Sequence, residues 1–253
     1  DVFADPSVIP APPPVSQAAD APLTQASEDP PAAPPLIPLA DMTLDEAFAA
    51  IADDVGLSSA EASAVLLVDA TNVSAVETQA DPLAVYAERH GMRSLMLNVA
   101  DPKAARAELA TLIPSAVAAM RRNDPTLDRS IFWITGSTAV FREIRTINAH
   151  SDRVPVISVV PEVVQAGDDS AVLSIGVSFE SNAHLAAIYG ADVLSGAAQV
   201  GNLPVGLVSP PDISINFRKA REIGLRIPFR FFESAGTIYD YAGNRVRSID
   251  LQR

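Results

Sequence analysis

Gly136, Ser137 and Thr138 have the residue types and the position that a binding site would need. They directly follow the apolar run of residues 131–135, IFWIT, and precede apolar residues at helical spacing. An apolar run without alternation is typical of a strand covered on both faces, so the pattern predicts strand, tight turn and helix. Ligands of open parallel sheets bind at the carboxyl ends of central strands. The N–H groups of this turn could therefore bind an anionic or carbonyl group, although N-capping is the commoner role of Ser and Thr there.

Other candidates for catalysis or metal binding are weak. His90, His150 and His184 are the only histidines, and they lie far apart without a second ligand at metal-binding spacing. Asp168 and Asp169 fit a solvated turn better than a pair of catalytic carboxylates. The chain has no cysteine, which excludes disulfides and thiolate chemistry, and it has no nucleophile elbow or phosphate loop. We expect no enzyme, no metal and no cofactor.

The net charge of −13 is unevenly distributed along the 253 residues. Residues 1–88 contain 15 acidic and no basic residues, whereas the rest contains 18 basic and 16 acidic ones. No basic stripe suggests nucleic-acid binding, and no apolar run of about 18 residues suggests a transmembrane segment. From Phe217 onward there are eight basic and four acidic residues. The acidic N-terminal segment could therefore bind the basic C-terminal region or remain in solvent.

The front of the chain divides into two segments. Residues 1–40 hold 11 of the 21 prolines, a composition that favours an extended, acidic, Pro-rich arm used as a linker or for docking. Residues 41–62 are expected to form short amphipathic helices, because Thr43 and Glu46 have the spacing of a capping box. The apolar residues that follow at helical spacing are Phe48, Ile51 and Val55.

From residue 63 onward, strand-like runs alternate with helical patterns. The predicted strands are 64–68, 94–99, 131–135, 154–160 and 171–177, and the predicted helices between and after them are 82–90, 103–122, 139–148 and 181–195. Such repeats predict an α/β fold with a single doubly wound, mainly parallel five-stranded sheet of flavodoxin-like order 2-1-3-4-5. We assign residues 63–230 to this lobe and residues 231–253 to a C-terminal extension.

One segment resembles a known family. Residues 213–228, ISINFRKAREIGLRIP, resemble the INLKTAKALGLTIP signature in the C-terminal lobe of ABC-transporter substrate-binding proteins of the type I periplasmic fold. Residues 154–157, 173–177 and 202–205 also match that lobe, and residues 64–150 are compatible with its first half. The resemblance implies an α/β lobe of a protein that binds a small solute.

The resemblance also implies which residues would face a ligand, because the family's binding positions lie in loops after the strands. On this sequence they are Asp69, Thr71 and Asn72, then Gly136 and Ser137, then Phe179 and Asn182. Core packing of Phe179 and a simple turn at Asn72 are the structural alternatives.

The resemblance leaves two functional hypotheses. Such proteins usually close two lobes of about 100–150 residues each on a solute, whereas only 63 residues precede Ala64. We therefore expect a non-catalytic structural or interaction subunit of a larger bacterial envelope assembly, periplasmic or envelope-associated, that binds protein partners in a multi-subunit complex through its Pro-rich arm. The alternative is the solute-binding component of an ABC uptake system for a small amino-acid-like or peptide-like ligand.

Overall fold

A computed structural model describes residues 62–206 and 208–248, without the side chains of residues 247 and 248. The predicted Pro-rich arm and nearly all of the predicted amphipathic helices, residues 41–61, lie outside this part. The described strands form one sheet of order β2-β1-β3-β4-β5-β6-β7-β8. They are β1 (Ser63–Asp69), β2 (Arg93–Val99), β3 (Ser130–Ile134), β4 (Val156–Ser158), β5 (Leu173–Gly176), β6 (Asp212–Asn216), β7 (Thr237–Tyr239) and β8 (Arg245–Ser248).

The first five strands confirm the predicted fold class and order. All of them run parallel to their neighbours in this part of the sheet. Every residue of β1 and β3 is buried, as expected of apolar runs that are covered on both faces. The carboxyl ends of these two strands therefore lie side by side in the middle of the sheet.

The sheet has eight described strands instead of the predicted five. Strand β6 pairs antiparallel with β5, β7 pairs parallel with β6, and β8 closes an antiparallel hairpin with β7. These strands have only three to five residues, which is too short for a clear periodic pattern. Strands β7 and β8 lie within the predicted C-terminal extension and continue the same sheet.

The described helices surround the sheet with some changes from the predicted bounds. The predicted helix 139–148 is interrupted at Arg142 and Glu143, and the predicted strand 154–160 is shortened between Pro155 and Pro161, since proline has no N–H for the ladder. A π-helical turn, Val76–Ala80, links the first two helices. The α-helices are α1 (Val73–Ala75), α2 (Asp81–Arg89), α3 (Ala105–Met120), α4 (Thr138–Phe141), α5 (Ile144–His150), α6 (Phe179–Leu194), α7 (Phe217–Ile223) and α8 (Phe229–Ser234).

Two apolar layers cover the two faces of the sheet. Alternate side chains of β3 divide between them, so Trp133 packs with α2, α7 and α8 residues while Phe132 packs with α3, α4 and α5 residues. Helix α6 belongs to neither layer, and Ser181 is its only buried residue. No described helix is long and apolar enough to cross a membrane.

The family-like segment 213–228 has a clear structural role. Asn216, which is fully buried, ends β6 and caps α7 by accepting a hydrogen bond from the Lys219 N–H at 2.9 Å. Its Nδ2 donates to the carbonyls of Gln165 and Gly167, at 2.9 and 3.1 Å. Gly224 ends the helix with a left-handed φ of 78°, as helix C-termini often require. The segment thus forms strand β6 and helix α7.

Candidate functional site

The carboxyl edge of the sheet brings together the predicted residues that follow β1 and β3. The backbone N–H of Asp69 donates to Ser137 Oγ at 3.2 Å, across 68 positions of the chain. Ser137 is fully buried and lies 3.1 Å from the hydroxyl of Thr135, which also contacts the carbonyl of Leu67 at 3.0 Å. The Ser137 hydroxyl makes no capping bond to α4. Its observed role is therefore to join β3 to β1.

The loop after β1 uses its polar side chains locally. Asp69 Oδ1 accepts hydrogen bonds from the N–H and the hydroxyl of Thr71, at 2.8 and 2.7 Å. Asn72 Oδ1 accepts from the N–H of Ala75 at 3.2 Å and so caps the first helical turn. Asn72 therefore has the turn-forming role that was the structural alternative to ligand binding.

Gln79 covers Gly136 and was not singled out from the sequence. Its Oε1 accepts a hydrogen bond from the Gly136 N–H at 2.6 Å. A Cβ atom added at position 136 would lie 3.1 Å from Gln79 Nε2, so glycine suits this close approach. Gln79 belongs to the π-helical turn, and no local sequence pattern connects it to a residue 57 positions away.

The predicted residues after β5 form a second group at the start of α6. The N–H of Phe179 donates to Glu162 Oε1 at 2.6 Å, and the N–H of Ser178 donates to Asp212 Oδ2 at 2.7 Å. Ser178 Oγ accepts the N–H of Ser181 at 3.0 Å. The carboxylates of Glu162 and Asp212 thus occupy N–H groups that an anionic solute would use, and they would repel its charge.

Phe179 and Asn182 are exposed, as is Thr71 among the predicted site residues. The Phe179 side chain is 58% exposed, and its ring centroid lies 6.4 Å from that of Phe141 in α4. Asn182 is also exposed. Core packing of Phe179 is therefore excluded, and this ring pair offers an apolar contact at the same edge.

The polar side chains at this edge hold the ends of strands and helices in place. Within residues 62–206 and 208–248, no group of three His, Cys, Asp or Glu side chains could hold a metal ion. The Ser137 hydroxyl contacts backbone and Thr135, and none of its hydrogen bonds is to a histidine or carboxylate base.

Comparisons with known proteins show the fold. No family profile and no curated protein match the sequence. A solved conserved domain protein from Vibrio cholerae O1 biovar El Tor has TM-score 0.53 and 17% identity, covering 70% of this chain and 54% of its own. The ABC domain in complex with L-Trp from Streptococcus pneumoniae has TM-score 0.53 and 16% identity, covering 70% and 56%.

A substrate binding protein with adhesive properties from Clostridium difficile also matches, with TM-score 0.44 and 15% identity, covering 66% of this chain and 51% of its own. The chain thus spans about half the length of the structures that it matches. Together with the sheet order, the first two matches show that the described lobe shares the α/β fold of those two structures.

Proposed function

We propose that this chain is a non-catalytic structural or interaction subunit of a bacterial envelope assembly and that it binds protein partners. The observation that carries the proposal is α6, a 16-residue helix with ten apolar residues of which none is buried. Ile188 is 45% exposed and Leu194 is 90% exposed. A helix that is apolar on most sides is normally covered. A protein partner would provide that cover.

The exposed apolar surface continues beyond the end of α6. Val200 is 71% exposed and Val205 is 92% exposed. A Cβ atom added at Gly206 would lie 2.8 Å from both Leu185 Cδ2 and the Tyr189 hydroxyl, so the chain passes against one side of the helix. The other side keeps its aliphatic residues in solvent. Burying each such side chain is worth roughly 1.5–3 kcal/mol, which favours association.

The carboxyl edge supports the same proposal. The N–H groups of Asp69, Gly136 and Phe179 already have partners within the lobe. A solute would have to displace Gln79 or compete with the Glu162 carboxylate, and broken hydrogen bonds in a partly buried site cost about 1–3 kcal/mol each. Solute binding at this edge would therefore require rearrangement first.

Solute binding is the second candidate, favoured by the fold that the lobe shares with the L-Trp-bound protein. Its ligand would be amino-acid-like or peptide-like and would stack on Phe179, with Asn182 of α6 and Thr71 of the loop after β1 at the same carboxyl edge. Titration calorimetry of the purified monomer against amino acids and short peptides separates the candidates. We expect no binding heat, and micromolar binding would overturn the interaction proposal.

A pair of surface variants tests the partner surface directly. Ile188→Glu with Leu194→Glu should disperse the native assembly, because both side chains would carry charge into the α6 contact. The control is Val73→Glu with Val85→Glu, two valines that are 59% and 47% exposed and lie outside α6. The size of the native assembly and the identity of its partners are measured for both variants. If the α6 variant keeps its partners, the proposal fails.

The Pro-rich arm and the periplasmic or envelope location are separate parts of the proposal. Removing residues 1–40 should release the chain from the assembly if the arm docks it there. Retention of the same partners by the shortened chain would reject the docking role of the arm while leaving the α6 surface to its own test.

A further inference from the structure

Strand β2, at one side of the sheet, has backbone groups that point away from its neighbour β1. The N–H of Arg93 donates to the carbonyl of Ala62 at 2.9 Å. The carbonyl of Val99 accepts from the N–H of Ala70 at 3.0 Å. In a parallel pair, alternate residues direct both backbone groups to the same side, so the odd-numbered residues of β2 bind β1 and the even-numbered ones point outward. The outward residues are Ser94, Met96 and Asn98.

This outer side of β2 is open in the lobe. Within residues 62–206 and 208–248, no strand pairs with it, and no backbone hydrogen bond to a turn or loop uses its three N–H groups. Leu95 is 43% exposed, and Asn98 is also exposed. A row of unpaired N–H and C=O groups on an exposed strand is a template for a further strand.

The two outermost described strands differ in the features that discourage such pairing. Strand β8 has only four residues, two of which are arginine, and its pairing with β7 contains a register shift. Strand β2 has seven residues without proline or lysine, and it pairs with β1 in unbroken register. Its only charged residue is Arg93, at its start. Because short length, charge and bulges are what protect exposed strands, β2 lacks the protection that β8 has.

The outward groups of β2 match a second copy of the same strand in one antiparallel register. When Met96 lies opposite Met96 of the second copy, Ser94 lies opposite Asn98, and Asn98 lies opposite Ser94. Each of these pairs exchanges two N–H···O=C bonds, which gives roughly six bonds in all. A shift by two residues in either direction loses one pair. The register centred on Met96 therefore satisfies the most backbone groups.

The side chains of β2 also fit this register. It places the exposed Leu95 opposite Leu97, which is only partly buried, on the same face of the joined sheet. Cross-strand apolar pairs of this kind stabilise a sheet. Arg93 lies opposite Val99, and the two Arg93 residues are separated by about 20 Å along the strands. No like charges therefore meet across the contact.

We propose that two copies of this chain associate by antiparallel pairing of β2 about a twofold axis at Met96, which joins their sheets into one. The contact removes the open outer side of β2 and covers Leu95. It lies on a different element from α6 and leaves the carboxyl edge unchanged. This proposal depends neither on the α6 surface nor on a solute.

Sedimentation equilibrium of the purified full chain tests the association. We expect a mass of about 53 kDa, twice the 26.6 kDa of one chain. Asn98→Pro removes an outward N–H that β1 does not use, whereas the control Asn98→Ala keeps it. The proline variant should weaken dimerisation more than about tenfold, and the alanine variant less than about threefold. A monomer at about 100 μM, or equal effects of the two variants, would overturn the proposal.

Disulfide trapping tests the register, because the chain has no cysteine of its own. Met96→Cys should form an intermolecular disulfide under mild oxidation, since Cα atoms of a hydrogen-bonded pair lie about 5.5 Å apart. Asn98→Cys is the control, because its two copies would lie about 13 Å apart along the strands. Equal or faster trapping at position 98 would reject this register. Loss of the dimer in the Ile188→Glu, Leu194→Glu variant would assign the contact to α6 and reject the β2 interface.

Discussion

The two edges of the sheet differ in how their surface groups are satisfied. At the carboxyl edge, backbone N–H groups of Asp69, Gly136 and Phe179 donate to side chains of the lobe itself. At the amino edge, Leu225 and Ile227 line an apolar groove and are only partly buried, and Phe229 in α8 is 68% exposed. The carboxyl edge, where the family resemblance predicts a ligand, therefore has backbone N–H groups that are already satisfied within the lobe. The opposite edge has surface left to bury.

This contrast shows that a cluster of polar side chains at strand ends can have two different roles. Side chains at strand ends can face a ligand, but they can also hold the strand ends together. The 2.6 Å bonds of Gly136 to Gln79 and of Phe179 to Glu162 indicate the second role. Apolar residues have no such internal alternative, because only contact with another surface removes them from water.

The largest effect on the free energy of unfolding is expected at Gly176, where backbone segments of the carboxyl edge are packed most closely. A Cβ atom at Gly176 would lie 1.7 Å from the carbonyl oxygen of Val159, so Gly176→Ala must move backbone. We expect a loss of about 3 kcal/mol or more in the free energy of unfolding, measured by urea denaturation.

Gly190→Ala, in α6, is the control, because a Cβ there would meet nothing within 4 Å. It should stabilise the protein by roughly 0.5–1 kcal/mol, the usual gain of alanine over glycine in a helix. Equal effects of the two substitutions would contradict the tight packing at the carboxyl edge.

A smaller effect is expected from the polar contact between β1 and β3. Ser137→Ala removes the acceptor of the Asp69 N–H in a buried place and should cost about 1–3 kcal/mol of unfolding free energy. Ser195→Ala, at the exposed end of α6, should change stability by less than about 0.5 kcal/mol. If both variants unfold alike, Ser137 is not holding the strands together, and its hydroxyl becomes available to a ligand.

The smallest effect concerns the polar turn between β7 and β8, which lies at the amino edge. The backbone N–H of Asn244 is the main cause that holds the pKa of Asp240 below its ordinary value of 3.8, and the N–H of Ala242 adds to it. Because the pKa is lowered by folding, the carboxylate stabilises the β7–β8 turn above the unfolded pKa. This contribution disappears as the pH falls through the folded value.

NMR titration of the Asp240 carboxyl checks this expectation. Its midpoint should lie below 3.8 in the folded protein, and Asp240→Asn should remove the pH dependence of the turn signals. Since Asp240 lies in a surface turn at the end of the sheet, global stability should barely change. A midpoint above 3.8 would show that the turn does not bind the charged form.

The sequence predicted much of the fold but little of the contacts that close the site. Unbroken apolar runs identified β1 and β3, and the parallel arrangement then placed Asp69 beside Ser137. Gln79, Glu162 and Asp212 gave no signal, because their partners lie 57, 17 and 34 positions away. The short strands β6 to β8 were missed for a related reason: pairing partners, not internal periodicity, define them.

The sequence by itself determined the α/β class, the order of the first five strands and the place where their polar ends meet. These follow from residue periodicity and from the geometry of parallel strands. Only the tertiary structure decided that the polar ends bind each other while the apolar residues of α6 stay exposed. Burial and hydrogen bonding depend on which surfaces meet in space, and local sequence does not specify that.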